Sequence, residues 1–331
     1  MPNEPSRREF FTKSMLASAA AGLTLGAQRL AAAQDADDKP LPTDVSLVDS
    51  NEKLAQGKIA GMSVSRILLG GNLLTHYTHS RDLKYVYNLC AHYNTEEKII
   101  ETMALSEKHG VNTLVVHTVP AILDTLKKYR RDRGGKIQWI ICPTAPAEGD
   151  FSEYTKQVEG LAEMGTNAVY LWGVTADKLV WKGDIDAIAK AVQIAKDHGM
   201  PSGVGAHDLK VIEACEKNKI PADFYIKTFH HHNYPSGPKP GDLKEPYSEI
   251  PAYWCRSPED TIKVMSDVQK PWIAFKIMAA GAIPPKDALQ YAFDNGADHC
   301  LMGMFDFEIA EDVKIAKEVL ANTNRKRPWR G

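Results

Sequence analysis

The sequence predicts a single (β/α)8 barrel. From Val64 onward, short apolar and β-branched runs alternate with longer amphipathic stretches. Glycine or asparagine often marks the join between them. Eight such units fill about 260 residues, close to the roughly 250 that this barrel needs. An open doubly wound sheet is the competing arrangement. It would carry a glycine-rich phosphate turn after its first strand, and Gly70-Gly71-Asn72 does not follow the G-x-G-x-x-G spacing.

The expected strands are Val64–Gly70, Asn112–His117, Ile137–Pro143, Ala168–Trp172, Ser202–Ala206, Phe224–Phe229, Trp272–Met278 and His299–Gly303. A helix is expected after each. The first opens at Thr95-Glu-Glu-Lys98, an N-cap followed by acidic first-turn residues, and stops at Lys108-His-Gly110. Met164-Gly165, His198-Gly199 and Asn295-Gly296 are equivalent stops, where glycine can take the left-handed conformation. Ser257-Pro-Glu-Asp260 opens the helix after the sixth strand.

The barrel is expected over residues 59–325, behind two other segments. Ser6-Arg-Arg-Glu-Phe-Phe-Thr-Lys13 has the charge pattern of a twin-arginine export signal, and an alanine-rich apolar run and a small-residue exit follow it. Residues 1–33 are therefore expected to be a removable signal, and the polar stretch 34–58 a linker. No other segment has the roughly 18 unbroken apolar residues of a spanning helix. The mature protein is expected to be soluble, off the membrane and outside the cytoplasm.

The chain has 331 residues, 44% hydrophobic and 25% charged, with net charge −2. That balance, with no basic stripe, argues against a nucleic-acid partner. The five cysteines, Cys90, Cys142, Cys215, Cys255 and Cys300, show no C-x-x-C spacing. The sequence leaves the oligomeric state open.

In such a barrel the chemistry sits where the strands end and the loops to the helices begin. Those ends here carry Asn72, His117, Pro143-Thr144, Trp172, His207-Asp208, Lys227, His230-His231-His232, Lys276 and Asp306. The opposite ends carry Thr113, Lys136 and three prolines, Pro201, Pro221 and Pro271. His207 and His230, helped by His231 or Asp208, are expected to hold a divalent metal, because imidazole suits zinc, manganese, iron, cobalt or nickel. Consecutive residues of a strand face opposite ways, so all three of His230–His232 cannot reach one ion.

Lys227 and Lys276 lie inside apolar strand segments. Two buried amines on neighbouring strands depress each other's pKa, which makes an amine nucleophilic near neutral pH. His117 is expected to move a proton beside them. Two long loops, Leu73–Asn94 and His232–Trp254, fall on the same face. From these loops and the strand ends, Asn72, His76, Arg81, Trp172, Asp208, Tyr234 and Asp306 are expected to bind a small carbohydrate-type molecule.

Asp223-Phe-Tyr-Ile-Lys-Thr228 resembles the sixth strand of class I deoxyribose-phosphate aldolases, and Phe275-Lys-Ile-Met-Ala-Ala-Gly-Ala-Ile283 resembles their seventh. The resemblance implies Lys227 as the Schiff-base lysine and Lys276 as its partner. It departs after "KT", where Phe229-His-His follows, and in the displaced glycine turn. The runs "HSRDLKYV", "KTFHHHNY", "KPWIAFKIMAAGAI" and "GADHCLMGMFDF" are similar to a group of poorly characterised, twin-arginine-exported barrel proteins of environmental bacteria. That group implies the fold and the export, not a reaction.

Three functions follow. The leading one is an exported enzyme, a lyase, isomerase or epimerase, acting next to the carbonyl of a carbohydrate-derived molecule with help from a divalent metal. The second is metal-free Schiff-base chemistry at Lys227. The third is a non-catalytic carbohydrate-binding barrel.

Overall fold

The computed structural model describes residues 54–80, 83–243 and 255–331. The export-type segment and nearly all of the expected linker therefore lie outside the described residues, as does Arg81. Ten strands are present among those described: β1 (Gln56–Ile59), β2 (Met62–Ser65), β3 (Ile67–Gly70), β4 (Thr113–His117), β5 (Gln138–Cys142), β6 (Ala168–Leu171), β7 (Ser202–Ala206), β8 (Phe224–Thr228), β9 (Trp272–Phe275) and β10 (His299–Met302). The last eight form a closed parallel barrel in chain order, with β10 pairing back onto β3. This is the (β/α)8 fold the sequence predicts.

The helices are α1 (Tyr85–Tyr93), α2 (Glu96–Lys108), α3 (Pro120–Arg133), α4 (Ser152–Glu163), α5 (Gly173–Lys182), α6 (Ile185–Asp197), α7 (Leu209–Lys217), α8 (Pro258–Asp267), α9 (Pro285–Asp294) and α10 (Ile309–Asn322). Thr95 caps α2 as expected, its hydroxyl accepting from the Lys98 N–H. No helix among the described residues is long and apolar enough to cross a membrane. All five cysteines are buried and free, which suits thiols acting as small hydrophobes.

Three boundaries differ from expectation. The first expected strand, Val64–Gly70, is two strands meeting at Arg66, and the stretch read as a linker already holds β1. β1 and β2 form an antiparallel hairpin. Its buried Ile59 and Val64 pack with Leu68, Val115, Phe224 and Ile273 of the barrel core, so the hairpin plugs the end of the barrel where the strands begin. The seventh barrel strand stops at Phe275 rather than Met278, because Lys276 takes a left-handed backbone with φ +57°.

The barrel unit also continues beyond residue 325. Asp298, at the start of β10, is fully buried and holds Arg327 at 2.6 Å and Arg325 at 3.3 Å. It also accepts the backbone N–H of Arg330 at 2.8 Å and of Trp272 at 2.9 Å. One carboxylate thus fastens the C-terminal tail across the plugged end. Removing it leaves two buried guanidinium groups uncompensated. We expect Asp298→Ala to cost about 3–5 kcal/mol, read as a fall in the denaturant midpoint, whereas Asp124→Ala on exposed α3 should change it little.

Candidate active site

The opposite end of the barrel opens into a cavity of about 820 Å³. The backbone builds its centre. β7 reads Ser-Gly-Val-Gly-Ala, and Gly205 faces the cavity. A Cβ on Gly205 would lie 2.8 Å from the backbone nitrogen of Gly173, the first residue of α5. The glycines let α5 start hard against β7, and this is the close approach that the "GVGAHD" run makes possible. One turn into α5 stands Asp177, only 5% exposed.

Asp177 organises the residues after β7. Its Oδ1 accepts the backbone N–H of His207 at 3.1 Å and of Asp208 at 3.0 Å, while Oδ2 lies 2.8 Å from His207 Nδ1. The carboxylate accepts, so Nδ1 carries the proton and Nε2 is the basic nitrogen. Nε2 sits 3.0 Å from Lys276 Nζ. Burial, then the charge of Lys276, holds the imidazole below its ordinary pKa, against the opposing pull of Asp177. A neutral histidine therefore faces the lysine.

Lys276 reaches this position by breaking the strand's alternation. Ile273 belongs to the barrel core and Phe275 lines the cavity, so the residue after Phe275 would normally face the helices. The left-handed turn at Lys276 re-aims it into the cavity, where it is half-buried. A non-glycine residue held at positive φ is strained.

The loop after β3 completes the cluster. His79 lies 2.9 Å from the Asn72 amide through Nε2. Burial first, then Lys276, His207 and His117, push its pKa down to about 2. His117, at the end of β4, is also lowered by burial. Tyr77 stands edge-on to both rings, with centroids 5.4 Å and 5.8 Å away. Trp172 lines the cavity too.

Of the residues expected from sequence, Asn72, His117, Trp172, His207 and Lys276 line this cavity. The other described ones are placed elsewhere. Lys227 alternates with inward Ile226 and so starts on the helix-facing side of β8. It is 1% exposed, does not line the cavity, and donates to the Thr228 carbonyl at 2.8 Å. Asp208 caps α7 by accepting from the Lys210 N–H. Asp306 is buried between the Tyr93 hydroxyl at 2.7 Å and Lys98 at 2.8 Å. His76 bonds the Asn94 carbonyl at 2.8 Å. Tyr234 packs beside His230 and His231.

The expected metal ligands do not converge. His230 is 1% exposed, with Nδ1 on the His231 carbonyl at 2.9 Å and Nε2 accepting from the Cys255 N–H at 2.8 Å. His231 packs edge-on against Tyr291 at 5.1 Å. Neither lines the cavity that holds His207. Among the described residues, no group of three or more His, Cys, Asp or Glu side chains is placed to hold a metal ion. The residues present do not fit the expected metal site.

No protein-family model matches the chain, and no curated protein matches it. Among solved structures it is similar to the native KDPGal structure, at 13% identity and TM-score 0.41, covering 69% of this chain and 90% of that one. It is also similar to an aldo-keto reductase enzyme from a Medee basin deep-sea metagenome library, at 11% identity and TM-score 0.46, covering 83% of this chain and 97% of that one. Neither likeness assigns a role to any residue here.

The Asp177–His207 pair can be tested without a substrate. A hydrogen-bonded imidazole N–H should give a downfield proton resonance that is lost in His207→Ala. It should shift or vanish in Asp177→Asn, and in Gly205→Ala, where the added methyl pushes α5 away. Asp208→Ala should leave the resonance in place and cost only about 1 kcal/mol of stability, as a lost helix cap.

Proposed function

We propose that this protein is a barrel enzyme that forms a Schiff base between Lys276 and the carbonyl of a small, carbohydrate-derived substrate, and then breaks or rearranges the neighbouring bond as a lyase or isomerase. One observation carries the reading: a cavity-facing amine lies 3.0 Å from a neutral imidazole whose far nitrogen is fixed by a buried carboxylate. Nucleophile, base and orienting group stand in line.

The chemistry follows from that line. His207 Nε2 takes a proton from the Lys276 ammonium, and the neutral amine attacks the carbonyl carbon. The C–N bond forms as the carbonyl electrons move to oxygen. The imidazolium protonates that oxygen. The imidazole then takes one proton from the new C–N nitrogen and passes it to the same oxygen, and water leaves, giving a protonated imine. The imine draws electrons from the bond beside it, so a neighbouring C–C or C–H bond can break. His117, kept neutral by burial, is the proton acceptor on this side of the cavity. The resulting enamine takes a proton back at carbon to restore the imine, and water then reverses the first steps and frees the amine.

This assignment moves the nucleophile from Lys227 to Lys276 and routes no step through a metal. Trp172, Tyr77 and Phe275 offer ring faces, while Asn72, Ser80 and His117 offer hydrogen-bonding groups. That mixture suits a hydroxyl-rich molecule. The Arg7-Arg8 segment supports a place outside the cytoplasm. Cell fractionation of an Arg7→Lys/Arg8→Lys variant tests this, since retention in the cytoplasm is expected.

The decisive experiment is borohydride reduction with a panel of small aldehydes, ketoses and 2-keto acids, followed by peptide mass analysis. A reduced adduct should appear on Lys276 and vanish in Lys276→Ala, while Lys227→Met retains it. Adducts confined to Lys227, or none with any carbonyl, overturn the proposal.

The pH profile gives a second check. His207 must be neutral to act as base, and its pKa lies below the ordinary imidazole value of 6.5. The acid limb of kcat/KM should therefore fall below pH 6.5, with activity lost as the pH drops through it. Asp177 raises that pKa, so Asp177→Asn should move the limb to still lower pH. The plateau should drop about 10²–10⁴-fold, because the base is no longer held in its working tautomer.

A further inference from the structure

The Schiff-base mechanism uses one part of the cavity. Another part is lined by the start of α10, where Glu308 and Asp312 face it beside Phe305 and Leu83. Along α10 the buried positions Ile309, Val313 and Ala316 form an apolar stripe at helical spacing. Asp312 falls within that stripe, at a position where packing alone would place another apolar side chain.

Asp312 as a residue is 7% exposed. Among the described residues it has no hydrogen-bond or ion-pair partner. Lys98, on the neighbouring α2, is held by Glu101 and Asp306, each at 2.8 Å. The charges that act on Asp312 are two further carboxylates, Glu308 and Glu311, and with burial as the largest cause its pKa is raised to about 6. Glu308 is itself fixed, its Oε2 accepting the Phe305 N–H at 2.9 Å. A largely buried carboxylate with no partner among the described residues is costly, and such groups gather where a ligand supplies what the fold does not.

We infer that Asp312, with Glu308 beside it, is a cation-binding subsite, and that the substrate carries a protonated amine at the end away from the carbonyl that meets Lys276. The substrate class is then an amino sugar or a similar amino-carbonyl compound. This deepens the Schiff-base reading and rests on it for the reacting end. The subsite itself is tested apart from it.

The test uses Lys276→Ala protein, in which no imine can form, titrated calorimetrically at low salt with matched probes: glucosamine against glucose, and butylamine against butanol. Each amine should bind at least about tenfold more tightly than its hydroxyl partner. Adding Asp312→Asn should abolish the difference. Equal binding of amine and alcohol, an advantage that survives Asp312→Asn, or no saturable amine binding overturns the subsite. Thermal unfolding without ligand is the second measurement. Asp312→Asn should match or exceed the parent midpoint, because it removes an uncompensated charge; a lower midpoint would mark a structural carboxylate and overturn the proposal. Failure of borohydride trapping on the wild-type protein, with these binding results intact, would instead remove only the Schiff-base reading.

Discussion

Closure of the barrel governs which side chains can meet. When β10 pairs with β3, every strand acquires one face toward the axis and one toward the helices. Side chains then sort by parity along each strand. Phe224 and Ile226 fall on the inner face and pack with Leu68, Val115 and Ile140. Lys227, one residue on, cannot share that face. By the same count Lys276 should also point outward, following inward Phe275. A single left-handed residue at the end of β9 reverses that outcome. The strain it stores, of order 1–3 kcal/mol, is small against the burial energy of the surrounding strands, so the barrel can hold it.

The imidazole between Asp177 and Lys276 is a balance of three effects. Burial disfavours the imidazolium, and so does the lysine charge beside it, whereas the carboxylate favours it. The first two win, and the ring stays neutral while the carboxylate still fixes its orientation. Had the carboxylate prevailed, two cations would face one another across 3.0 Å in a partly desolvated cavity. The neutral ring instead gives the lysine proton somewhere to go.

Much of this was legible in the sequence. β-branched runs, helix caps and glycine stops locate the barrel, because each reports local backbone preference. The strand-end rule also brings His117, His207, Asn72, Trp172 and Lys276 to the correct end. What stayed hidden depends on tertiary geometry. The αL turn at Lys276 has no glycine or asparagine to announce it. Asp177 and Asp312 lie within helices, where a lone aspartate reads as surface. His79 lies in a loop without periodicity, although that loop's unusual length pointed to it. The β1–β2 hairpin was masked by the polarity of Gln56, Lys58 and Ser63, since Ile59 and Val64 are its only buried branched apolar side chains.

The three consecutive histidines show why imidazole density alone does not make a ligand set. Between β8 and α8, Cys255 is fully buried. Its N–H is accepted by His230 Nε2, and its carbonyl is bonded by His232 Nε2. Unmet, each of these buried backbone groups would cost about 1–3 kcal/mol. Imidazole suits the task because one neutral ring can donate through one nitrogen and accept through the other, as His230 does between the His231 carbonyl and Cys255. A metal at His230 would have to take the lone pair that now satisfies Cys255, freeing a buried N–H. The histidines after β8 are therefore best understood as partners of nearby backbone groups, apart from the cavity that His207 and Lys276 line.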